Sequence, residues 1–331
     1  MKYLLIFISM ITWEVHAQTV IDSTASLRGI SVLNQEVVWV SGTKGTIAKT
    51  DDGGASWQKV VIPNTQEMDF RDIEVFDTKT VLVMSAGEGS KSNIYRSENA
   101  GKSWSLVYAN TFEEGFFNGF SFSDSLKGVL TGDPIEGKLF VLRTTNGGKT
   151  WKRVNPKKLP EMADGEAGGF AASGSHLYLN DEIFVNGTGG SIARLYISDA
   201  GLKSWKAEAV PIIQGESSQG IFSIDFCNNL LGVAVGGDYT KEDEGNQNVV
   251  VTEDGGEFWI HSENFPVYQS SVRFVDCLHV VSTGPGGTYI SNDSGYTWIK
   301  TNYPGFHAVD VSADGAIWVA GSQGRVMKLD L

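Results

Sequence analysis

TDDGGASW at residues 50–57 recurs as SENAGKSW at 97–104, TTNGGKTW at 144–151, TEDGGEFW at 252–259 and SNDSGYTW at 291–298, and SDAGLKSW at 198–205 is a sixth, degraded copy. The closing tryptophans, Trp57, Trp104, Trp151, Trp205, Trp259 and Trp298, are spaced by 47, 47, 54, 54 and 39 residues. A period of this size is that of a propeller blade and too long for most solenoid coils. Within each phrase Asp52, Asn99, Asn146, Asp254 and Asp293 can fold back onto backbone N–H groups, and the glycine two positions later permits positive φ. The phrase is therefore a tight turn between two strands, and its tryptophan is a large apolar face to bury between neighbouring sheets. A carboxylate repeated at separated turns is structural, because a reaction needs a single constellation.

Ahead of each phrase lie short alternating segments. Ile30 and Val32 are followed by Val38 and Val40, then by Ile47, with glycine-bearing turns between them. The same strand, turn, strand, turn, strand grammar recurs from Ile73, Phe120, Phe170, Ile224, Val272 and Val309, which gives seven first strands. The expected fold is all-β, a single seven-bladed propeller of four-stranded antiparallel blades over residues 18–331, about 45 residues per blade. The last unit, GAIWVAGSQGRVMKL at 315–329, echoes EVVWVSGTKGTIAKT at 36–50 and stops before a fourth strand. The segment 19–26 is placed to supply that strand and remove an open sheet edge.

Residues 1–17 read as a signal peptide, with Lys2, an apolar stretch from Tyr3 to Trp13, and Val-His-Ala before the cleavage point. That stretch is too short to span a bilayer. The expectation is export to the periplasm or the extracellular space, as a monomer that does not span the membrane. The chain has 331 residues, 26 basic against 39 acidic, for a net charge of −13. Such a chain is repelled by phosphate backbones, which argues against nucleic acid as a partner. Two cysteines exclude a disulfide scaffold and a cysteine zinc module. Cys227 and Cys277 fall near first turns of adjacent blades, and their spacing leaves both a bridge and two buried thiols open.

The phrase S/T-x-D-x-G-x-T/S-W is the Asp box. Over residues 28–329 the chain resembles the Asp-box (BNR-repeat) propellers, most closely those similar to the photosystem II stability and assembly factor group, and more distantly the sialidase-like propellers. The resemblance implies a secreted or lumenal seven-bladed scaffold that holds partner proteins. Asp boxes also occur in sialidases, xyloglucanases and sorting receptors, so fold alone does not assign function.

In this topology the boxes lie on one face, here called the lower. The upper face is made by the segments leading into each first strand and by the loops between second and third strands. Two positions before each reference residue stand Arg28, Arg71, Asn118, Gly168, Phe222, Ser270 and His307, one per blade around the channel mouth. The loops GDPIEGK (132–138) and GGDYTKEDEGN (236–246) add Asp133, Asp238, Tyr239 and Lys241, and Glu166 precedes blade four. This mixed ring of guanidinium, carboxylate, phenol and imidazole suits an anionic or polyhydroxylated ligand. Pairing of Arg28 and Arg71 with Asp72, Asp133 or Glu166 is the bland alternative. The expected function is a non-enzymatic binding or assembly scaffold that engages a protein partner in the cell envelope, to which FEEGFF (112–117) leans.

The alternative is a carbohydrate-active hydrolase acting on a glycan, with Asp133, Glu166 and Tyr239 cast in catalytic roles. A sialidase also needs three converging arginines, and Arg273 falls on the opposite strand parity from Arg28 and Arg71. GEGSKS (87–92) lacks the ending of a phosphate loop, and no G-x-S-x-G elbow or helix-borne histidine pair occurs. No cofactor is expected, with calcium at KEDEG (241–245) beside Asp238 as the one candidate.

Overall fold

The computed structural model describes residues 18–245, 247–264 and 267–331; the signal-peptide reading at 1–17 lies outside the described residues. Seven antiparallel sheets succeed one another along the chain. Their innermost strands, the A strands, are Leu27–Val32, Asp69–Val75, Phe117–Phe122, Leu177–Leu179, Gln219–Phe226, Ser271–Phe274 and Ala308–Val311. Neighbouring A strands pack around a central channel, and each blade runs outward through strands B, C and D. In blade one these are Val38–Gly42, Ile47–Thr50 and Gln58–Val60. The seven-bladed all-β propeller expected from the repeat is the fold.

Seven apolar clusters separate the blades, one per interface. The box tryptophans anchor six of them: Trp57 meets Trp318 edge-on at 5.9 Å between blades seven and one, and Trp151 packs with Leu82 and Phe122 between blades two and three. The indole N–H groups of Trp104, Trp205, Trp259 and Trp298 donate to the carbonyl three residues earlier, whereas those of Trp57 and Trp151 are buried without a partner. The carboxylates do what the turn needs. Asp52 accepts from Thr50 Oγ1 at 2.7 Å and from Ser56 N–H at 2.9 Å, and Asp293 repeats this with Ser291 and Thr297.

The box glycine has a second constraint besides its φ of 89° at Gly54. A Cβ there would stand 2.4 Å from the Trp318 ring of the preceding blade. In the degraded box the same position is Leu202, with φ of 58°, and the preceding blade offers the smaller Val129. Leu202 fills that space and joins the cluster with Val129, Phe184 and Trp205.

Blade seven closes as expected. Thr19–Val20 pairs antiparallel with Arg325–Leu329, with Thr19 opposite Val326, and Ile21 N–H donates to Gly324 O at 2.8 Å. Cys227 and Cys277 form a disulfide across blades five and six, with Cα atoms 5.2 Å apart. No helix of the described residues is long and apolar enough to cross a membrane.

Blade four departs from the expected start. Its A strand begins at Leu177, not near Phe170. The ring position assigned to Gly168 therefore belongs to Ser175, and residues 168–174 do something else: they cross the upper mouth of the channel. The reason is chain length, since the 54-residue spacing before Trp205 carries an insertion. Part of it, Glu166–Ala167, pairs with Gly189–Gly190, which adds two short strands to the blade-five sheet.

Candidate binding site at the upper mouth of the channel

The A strands of blades one, two, three and five each carry a register shift against strand B, and the residues skipped are Arg28, Arg71, Asn118 and Phe222. A bulge expels one residue from the ladder and re-aims its side chain. Four of the ring positions found by counting are thus bulge residues.

The mouth-crossing segment is tied to five blades. Arg28 Nη1 donates to Ala172 O at 3.3 Å, Arg71 Nη1 to Ala171 O at 2.8 Å, and Asn118 Nδ2 to Gly169 O. Phe170 stacks on Phe222 at 3.9 Å, and Ser173 Oγ donates to Ser270 O at 2.7 Å. Above it lies a cavity of about 400 Å³ whose lining includes Arg28, Arg71, Asp133, Tyr239, Glu242 and His307. Its apolar side is Phe116, Phe170, Phe222 and Tyr268, with Tyr239 edge-on to both stacked rings at 6.1 and 6.3 Å.

The charges are not balanced as expected. Arg71 Nε pairs with Asp69 at 2.7 Å, not with Asp72, Asp133 or Glu166, and Arg28 makes no direct ion pair among the described residues, with Asp69 and Glu242 as the carboxylates that act on its charge. Asp72 instead accepts the backbone N–H groups of Ile73 and Phe120, both at 2.8 Å. Burial and then the neighbouring Arg71 charge lower the pKa of Arg28. Burial, with the nearby arginine charges, holds His307 down at about 3, so the imidazole is neutral at any ordinary pH. Burial raises Asp133, against the hydrogen bond that Asn118 donates to it at 3.1 Å.

Asn118, Glu166, Asp238 and Lys241 do not line the cavity. Glu166 is buried among Arg194, Tyr196 and Thr188, with Arg194 Nη2 at 2.5 Å and Thr188 Oγ1 at 2.6 Å. Burial opposes but those hydrogen bonds prevail, and its pKa is lowered. Asp238 accepts from Thr240 N–H and Oγ1 and from Gln219, and Lys241 stands 3.7 Å from Glu244. Among the described residues no three His, Cys, Asp or Glu side chains are placed to share a metal ion. The sequence reading passed over Phe116, Tyr268 and Glu242 as mouth residues, although FEEGFF and KEDEG contain two of them.

Beneath the crossing segment the channel opens on the lower face, where Glu74, Asp225, Arg273 and Asp310 converge. Arg273 Nε pairs with Asp310 at 3.2 Å. This is the opposite strand parity, so Arg273 cannot join Arg28 and Arg71.

A family model described as photosynthesis system II assembly factor YCF48 matches residues 9–116. The chain is an Asp-box propeller similar to YCF48. The solved structure of YCF48 from Cyanidioschyzon merolae superposes with a TM-score of 0.68 at 17% identity, over 95% of this chain and 98% of that one. A structure described as YCF48 bound to D1 peptide gives 0.64 at 14% identity, over 96% and 98%. The GH74 xyloglucanase from Xanthomonas campestris gives 0.55 at 12% identity, over 87% of this chain and 55% of that one. These structural likenesses carry the fold. No curated protein matches the chain.

Proposed function

We propose that this YCF48-like propeller is an exported, non-enzymatic scaffold whose upper mouth holds a segment of a partner protein. The observation that carries the reading is Arg28, in no direct ion pair among the described residues, beside Arg71 over an aromatic floor. Two adjacent guanidinium groups favour an acidic side chain or a terminal carboxylate, and the rings favour an apolar neighbour in the same peptide. That a YCF48 structure holds a D1 peptide supports a peptide as the class of ligand. The cross-blade disulfide supports an oxidising compartment, in keeping with export.

The hydrolase reading has less in its favour. Glu166, one of its two carboxylates, is held ionised by Arg194 away from the cavity, so it is neither a proton donor nor a partner for Tyr239. The test is fluorescence anisotropy with a labelled peptide library bearing free or amidated C-termini, for the mature chain and an Arg28→Gln/Arg71→Gln variant matched by thermal melt. Carboxylate-dependent binding that falls at least tenfold in the variant is expected. Equal binding by both proteins would remove the assignment of this face.

A further inference from the structure

The mouth cavity holds charges of both signs and does not pair them across it. Arg28 and Arg71 donate to the carbonyls of Ala172 and Ala171. Asp133, on the same lining, accepts one side-chain hydrogen bond, at 3.1 Å from Asn118 Nδ2, and makes no ion pair among the described residues.

Asp133 reaches the cavity by the device that places the arginines. Strand B of blade three loses register with strand C between Gly132 and Ile135, so Asp133 and Pro134 leave the ladder. A bulge of this kind re-aims a side chain, and here it sets the carboxylate on the cavity wall. Asn118, the bulge residue of the facing A strand, is wholly buried, and its Oδ1 has no hydrogen-bond donor. This corner therefore holds more acceptors than donors. A half-buried carboxylate without a counter-ion carries a desolvation cost that a ligand's cation would offset, and burial raises its pKa accordingly.

The crossing segment fixes the spacing between the two signs. A Cβ on Gly168 would lie 2.7 Å from Asp133 Oδ1, so Asp133 stands at Gly168, whereas Arg71 is tied to Ala171. Three residues of extended chain span at most about 11 Å. Phe170, stacked on Phe222, comes between them in the segment. Both charged ends are thus within reach of one short peptide lying over the aromatic floor.

We propose that Asp133 sets the specificity of the mouth by taking a lysine or arginine side chain of the bound segment, within about three residues of the carboxylate that meets Arg28 and Arg71. The proposal rests on the peptide reading above. Glu242, the other carboxylate of the lining, is exposed on its loop and acts on Arg28, whereas Asp133 is set in the wall.

The test uses labelled hexapeptides with a free C-terminus that carry lysine, norleucine or glutamate at each of the three positions before the last residue. Fluorescence anisotropy on the mature chain should show, at one of those positions, lysine bound at least about fivefold tighter than norleucine and glutamate weakest. The lysine preference should narrow as salt is raised. Asp133→Asn keeps the size of the side chain and an acceptor for Asn118. It should bring the three peptides to within about twofold of one another and leave the dependence on Arg28 and Arg71 intact. Its melting temperature should not fall, since it removes a charge that has no counter-ion. Asp133→Lys should reverse the order and favour glutamate. Carboxylate-dependent binding without a lysine preference, the same preference in Asp133→Asn, or its loss in Glu242→Gln alone would overturn this proposal and leave the peptide reading standing. If no peptide binds through its carboxylate, the peptide reading falls and this proposal with it.

Discussion

Single residues decide the turns and the state of the channel. Asp293 accepts from Ser291 Oγ, Thr297 N–H and Thr297 Oγ1 at 2.6–2.8 Å, so Asp293→Ala leaves those donors unmet. A loss of about 1–3 kcal/mol is expected by denaturant unfolding, and Asp293→Asn, the residue two other boxes use, should recover most of it. Glu74 is one of four buried channel carboxyls, with Asp72, Asp225 and Asp310, that burial pushes up. Burial first, and the Asp310 carboxylate second, push it up to about 8 against the pull of Arg273. The folded chain therefore binds a proton there that the unfolded chain has released above the ordinary carboxylate range. Stability from this group is full in acid and is lost as pH rises towards 8. Glu74→Gln should reduce the fall in melting temperature between about pH 5 and 8 and stabilise the alkaline end; an unchanged slope would show that Glu74 is ionised in the fold.

At the scale of elements, the A-strand bulges and the insertion before blade four make the mouth. Both were partly legible. Counting back from each reference residue finds Arg28, Arg71 and Asn118 because a repeat puts equivalent residues at equivalent heights. The count fails at blade four, where 168–174 leave the strand pattern to cross the channel, and period-2 alternation carries no sign of a segment that runs perpendicular to the strands. Glu166 failed for a related reason: a nearby position in the chain did not make it a mouth residue, since the paired segments Glu166–Ala167 and Gly189–Gly190 turn it towards Arg194. The Cys227–Cys277 bridge joins two elements that the sequence leaves 50 residues apart. Closing a loop of that length restricts the unfolded chain, and Cys227→Ser/Cys277→Ser should cost about 2–4 kcal/mol. Thiol labelling without reductant should find no free cysteine.

For the whole molecule the decisive feature is closure. Each interface cluster needs both of its blades, and the blade-seven sheet is completed by Thr19–Val20 from the other end of the chain. Removing residues 18–24 exposes the edge of Arg325–Leu329 and breaks the ring at one place. A melting temperature at least about 10 °C lower, with concentration-dependent association, is expected by calorimetry and light scattering; an unchanged melt would mean that the ring holds without its clasp. The repeated box, the strand pattern before it and the echo of 36–50 in 315–329 determined the blade number and the closing strand, because local turn chemistry and period are written in consecutive residues. Tertiary structure alone decided which distant charges meet: Glu166 with Arg194 and Arg273 with Asp310. Those pairings join residues of different blades or sheets, and the distances between them are fixed by how the ring closes.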